Sequence, residues 1–92
     1  MQMKTIYKYQ FELSSFPQFI PMPINAQILT CQLQNDKPHI WAIIDQEQSE
    51  IGFYVFQAFP TGQPLHGLES KKYISTIQYS DGLVFHIFEC FI

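Results

Sequence analysis

The chain has no arginine: its five basic residues are all lysines. Arginine is the side chain that pairs phosphate and guanine in a bidentate fork. Its absence, with a net charge of −3, argues against a protein that grips a nucleic-acid backbone. It argues less against a small phosphorylated ligand, which backbone N–H groups and one lysine can hold. Charge of either sign is scarce, 14% against roughly 25% in an ordinary domain. Cysteine is scarce too. Cys31 and Cys90 lie far apart in apolar stretches, with no CxxC pair, and read as small hydrophobes rather than as a disulfide. No apolar run approaches the roughly 18 residues of a membrane span, and MQMKTIYKYQ has no apolar signal core. A cytoplasmic protein without a membrane partner is the expectation. No segment keeps a 3.6-residue apolar period, which excludes a helical domain.

Hydrophobic residues fill the space left by charge. They make up 47% of 92 residues, with nine Phe and five Tyr. At this length the chain is one domain, 1–92, with a thin core. So many aromatics under so few charges point to a homo-oligomer that buries some of them between subunits.

The period-2 pattern predicts an all-β fold, an antiparallel sandwich or barrel of about six strands. The first runs from Thr5 to Leu13, with Tyr7, Tyr9, Phe11 and Leu13 opposite a wet face of Lys8, Gln10 and Glu12. Ser14 to Pro23 carries three prolines and reads as an extended, edge-lying connection. Ala26 to Gln34 places Leu29, Cys31 and Leu33 on one face. It turns at Asn35-Asp36-Lys37-Pro38 into His39 to Asp45, which is apolar on both faces and makes Trp41 a core residue. Ile51 to Phe59, again apolar on both faces, follows a polar loop. A short helical turn is expected within Leu65 to Ser70, then a strand from Tyr73 to Tyr79. Asp81-Gly82 is a two-residue hairpin signal, because both residues tolerate φ > 0. It feeds Leu83 to Phe91, LVFHIFECF, apolar on both faces and therefore a central strand covered above and below.

Chemistry is sparse. His39, His66 and His86 have no neighbour at metal spacing, and His86 and Cys90 are roughly 13 Å apart along a strand. No metal, no cofactor and no catalytic set is expected; Ser, His and Asp occur without a nucleophile elbow. Asp45, Glu47 and Glu50 belong to a solvated loop. Two features suit binding. His86 is a polar group inside the most apolar strand. Thr61-Gly62-Gln63-Pro64 offers a hydroxyl and backbone N–H groups between two rigidifying prolines. Thr61, Gly62, Gln63 and His86 are the expected binding residues, with Lys4 and Lys8 on the first strand as the other candidate surface.

Several stretches in a fixed order carry a resemblance. They are Lys4-Thr5-Ile6-Tyr7-Lys8-Tyr9, Met22-Pro23, Ala26-Gln27-Ile28-Leu29 and Gln32-Leu33-Gln34. They continue with Trp41-Ala42-Ile43-Ile44-Asp45, Thr61-Gly62-Gln63-Pro64, Tyr73-Ile74-Ser75-Thr76 and Leu83-Val84-Phe85-His86-Ile87-Phe88-Glu89. Together they resemble a family of small tailed-phage and prophage proteins of unknown function, over nearly the whole chain. The resemblance implies a phage-encoded, non-enzymatic binding protein in the cytoplasm of a bacterial host. A counter-defence role follows from that setting. One form is an oligomeric sponge that sequesters a host nucleotide immune signal. Another is an inhibitor of a host defence protein, as anti-CRISPR proteins are; a phage structural or assembly accessory is the third. Aromatic faces favour the sponge, since bases stack on them.

Overall fold

Seven strands pair antiparallel in a computed structural model that describes residues 3–91. Met1, Gln2 and Ile92, the ends of the expected 1–92 domain, lie outside the described residues. The strands are β1 (Lys4–Gln10), β2 (Gln18–Pro23), β3 (Gln27–Gln34), β4 (Lys37–Asp45), β5 (Ile51–Pro60), β6 (Lys71–Gln78) and β7 (Val84–Cys90). A single 3₁₀ turn, Leu68–Ser70, precedes β6, inside the stretch expected to hold one. Three strands form one sheet in the order β1-β4-β3, and four form the other in the order β2-β5-β7-β6. The fold is an all-β sandwich. The molecule is a slab whose Cα atoms span 45 × 31 × 15 Å, the thin dimension set by two sheets about 10 Å apart.

The extra strand comes from the proline-rich stretch. Gln18–Pro23 pairs with β5 alone, so it is an edge strand. Pro21 and Pro23 are tolerated because an edge leaves one row of backbone groups unpaired. The three runs read as apolar on both faces, β4, β5 and β7, are all interior strands. For β7 the expectation fails in one respect. Its inward side chains, Phe85 and Ile87, meet the other sheet, but among the described residues no third layer covers its outward side.

The turns follow their residues. Asn35 and Asp36 both take φ > 0, at 52° and 62°, and close the β3–β4 hairpin with Gln34 opposite Lys37. This is the two-residue geometry that matches strand twist. The Asp81-Gly82 turn differs from expectation. Only Gly82 is left-handed, at φ 94°, and Gly82 N–H donates to Tyr79 O at 3.0 Å. Ser80, Asp81 and Gly82 therefore form a three-residue loop ending in a glycine bulge. Asp81 caps it by accepting Leu83 N–H on Oδ1 at 3.1 Å.

Between the sheets lie Ile40, Ala42 and Ile44 of β4, Met22 of β2, Phe56 and Ala58 of β5, Ile77 of β6 and Ile87 of β7. Phe11 closes one end, edge-on to Phe56 with centroids 6.3 Å apart. Each such side chain contributes about 1.5–3 kcal/mol by leaving water. Ile40, Ala42 and Ile44 take the inward positions of β4, so Trp41 points outward. It is half-buried beneath Lys8, whose Nζ lies 5.9 Å from the ring centroid, and is not a core residue. A bulge between Ile28 and Thr30 similarly turns Leu29 out, 39% exposed, and leaves Ile28 packed on the core with Cys31.

One polar contact ties the sheets together. Ser75 of β6 is buried; its Oγ donates to Cys31 O at 2.7 Å and accepts Cys31 N–H at 3.0 Å. Both cysteines are free thiols. Burial pushes the Cys31 thiol up to about 12, so it stays protonated and inert at neutral pH.

Candidate functional site

The outward side of β7 carries Val84, His86, Phe88 and Cys90, opposite the outward residues of β5 and β6. Register places Phe59 beside His86 on one flank and Thr76 beside it on the other. Tyr73 lies opposite Phe88 across the same strand pair. Phe88 packs edge-on against both Phe59, at 6.0 Å, and Tyr73, at 5.8 Å. These three rings line a cleft of about 270 Å³ whose rim is Pro60, Thr61, Gly62, Gln63 and Leu65.

The rim loop is shaped by its own residues. Pro60 O accepts Gln63 N–H at 3.2 Å, and Gly62 supplies φ 96° at the third position of that turn, where a side chain would be strained. A Cβ on Gly62 would face open space, so the glycine is there for its backbone angle rather than for want of room. Lys71 Nζ donates to His66 O at 2.8 Å and holds the far end of the loop against β6.

His86 is the polar centre of the cleft. Its Nε2 is 2.7 Å from Thr61 Oγ1, and its Nδ1 is 3.0 Å from Thr76 Oγ1. Thr76 Oγ1 is also 2.7 Å from the Tyr73 hydroxyl. A neutral imidazole donates from one nitrogen and accepts on the other, whereas hydroxyls do both. The chain Tyr73–Thr76–His86–Thr61 can therefore run in either direction. Thr61, at the rim, presents a donor in one sense and a spare acceptor in the other. That suits recognition of a ligand edge carrying either group.

Thr61, Gly62, Gln63 and His86, separated by more than twenty residues, thus meet in one place. Lys4 and Lys8 do not join them. Both lie on β1, in the other sheet. Lys8 covers Trp41 and bonds Gln34 Oε1; Lys4 borders a polar recess of about 100 Å³ with Asn25, Asp45 and Gln48. Beneath Lys8, Trp41 Nε1 is buried without a hydrogen-bond partner among the described residues. Sequence reasoning missed Tyr73, Thr76, Phe59 and Phe88. Their outward direction was readable from period 2, but their pairing with His86 depends on hairpin register.

Among the described residues no helix is long and apolar enough to cross a membrane. No curated protein and no solved structure matches the chain. A family model described as "Domain of unknown function (DUF7352)" matches residues 3–90, which contain both sheets and every residue of the cleft. The chain belongs to the DUF7352 family.

Proposed function

We propose that this chain is a phage- or prophage-encoded binding protein without catalytic activity. It takes one planar, base-sized ring into the cleft under Thr61 and sequesters a host nucleotide signal in the bacterial cytoplasm. One observation carries the reading: three aromatic rings enclose a single hydrogen-bonded histidine. Stacking on such rings contributes about 1–3 kcal/mol per base and tolerates any base. The histidine–hydroxyl chain adds direction, because a buried polar edge that loses its partner is penalised. The size restricts the ligand. About 270 Å³ is just under the roughly 300–1,000 Å³ of drug-sized pockets, room for one ring system rather than two. The phosphate would remain at the rim, met by backbone N–H groups of the Pro60–Leu65 loop. The phage setting and the counter-defence role rest on the sequence resemblance.

Calorimetry with the four common ribonucleoside monophosphates tests the cleft. Binding of at least one is expected, with one ligand per chain. Thr61→Ala and His86→Ala should each weaken it about tenfold, the loss of one hydrogen bond in a partly dry site. Heating freshly purified protein should release material absorbing at 260 nm. If no nucleotide binds and none is released, the cleft reading falls, and capping of a host defence protein becomes the better account.

A further inference from the structure

The outward face of β2-β5-β7-β6 is an unfinished hydrophobic core. Register places Phe19 and Pro21 of β2 beside Val55 and Phe53 of β5, all directed away from the other sheet. Val55 and Cys90 are already buried there. The side chains around them are not: Phe53 is 68% exposed, Ile51 55%, Phe19 54% and Phe91, which borders Phe53 and Val55, 54%. Among the described residues β2, β5 and β7 project no charged side chain on this face. Lys71, at the β6 margin, is turned into the neighbouring loop.

We propose that this face joins two copies of the chain, each supplying Phe19, Ile51, Phe53 and Val55 to a common core. The area is sufficient. At ~200 Å² per large aromatic side chain, the exposed parts of Phe19, Phe53 and Phe91 amount to roughly 350 Å². Ile51 and Pro21 bring each copy to about 500 Å², so a pair reaches the ~1,000 Å² that a specific interface must clear. Charge selects the occupant. Each copy carries −3, and an uncharged face is where two such molecules meet with least repulsion. A charged partner would lose hydration against it and gain no ion pair in return. Isologous pairing also suits a patch that is apolar throughout, because it needs no complementary pattern on a second protein. The cleft stays clear of the contact. Phe59 is six residues along β5 from Phe53, about 20 Å, so the dimer carries two open clefts.

Sedimentation velocity on the full chain tests this. The parent should run at twice the chain mass across micromolar concentrations. Phe53→Glu should run at the chain mass, keep its β-type circular dichroism spectrum and keep the affinity of the parent for the monophosphate it binds. Ile6→Glu, at a position 56% exposed on the outward face of the three-stranded sheet, should remain dimeric. Should Phe53→Glu lose its fold, Phe19→Lys on the edge strand makes the same measurement. A monomeric parent overturns the proposal, and so does a folded Phe53→Glu or Phe19→Lys that stays dimeric, or dissociation by Ile6→Glu alone. None of these masses depends on ligand, so the interface and the cleft fail separately.

Discussion

At the scale of single residues, Ser75 is the most consequential polar side chain. It occupies both backbone groups of Cys31 across the gap between the sheets. Removing it strands a buried N–H and C=O. Ser75→Ala should therefore cost about 1–3 kcal/mol, read as a lower urea midpoint at an unchanged slope. Glu89 works against stability. Burial raises its carboxyl above the ordinary 4.5, and Lys72 offsets that only in part. The native chain then holds the proton more tightly than the unfolded chain does. Its contribution to stability is most favourable below 4.5, falls as pH rises through the raised native value, and stays lower above it. Glu89→Gln should flatten this decline and raise the urea midpoint at neutral pH relative to the parent. An unchanged slope between acid and neutral pH would show that Glu89 titrates normally.

At the scale of elements, the β6–β7 hairpin decides whether a site exists. A two-residue Asp81-Gly82 turn would pair Ser80 with Leu83 and place Ile77 beside His86. The observed three-residue loop shifts the pairing by one, and Thr76 stands there instead. A one-residue slip moves every side chain to the other face. The hydroxyl that holds His86 Nδ1 thus depends on the backbone angle of Gly82. Gly82→Val should destabilise the domain by about 1–2 kcal/mol through its left-handed φ. It should weaken ligand binding as well, whereas Ser80→Ala, in the same loop, should do neither. Chemical denaturation and calorimetry on the two variants separate these outcomes. At Gly62 the same left-handed strain applies, so Thr61→Ala is the cleaner probe of the rim.

At the scale of the molecule, a 92-residue sandwich has two sheets and therefore two outer faces to cover. The three-stranded sheet covers its own with Lys4, Lys8, Gln10 and Asp45 around Trp41 and Ile43. Among the described residues the four-stranded sheet has only the β5–β6 loop, laid over the His86 end. The Phe19–Phe53 end is left bare. If a second copy covers it, folding and association are linked, and the melting temperature should climb with protein concentration. A melting temperature constant over a hundredfold dilution, measured by scanning calorimetry, would place the native state in the monomer.

Local rules alone determined six of the seven strand runs, a turn after Gln34, the edge-lying course of the proline stretch and the candidacy of Thr61, Gly62, Gln63 and His86. Each rests on chemistry within a few residues: alternation, left-handed tolerance, a missing N–H, a polar group in an apolar run. Trp41 and Leu29 were misread for the same reason. Alternation tells which residues share a face, not which face turns inward, and a bulge resets it midway. LVFHIFECF shows the limit most plainly. Two apolar faces identified an interior strand, but only tertiary structure showed that one of them has no layer above it. The pairing of His86 with Thr76 and Thr61, and the grouping of Phe59, Phe88 and Tyr73, were settled by register and sheet order. Those are set by the lowest free energy of the whole sandwich, with hydrogen bonds, bulges and core packing satisfied together, and no short stretch of sequence holds that information.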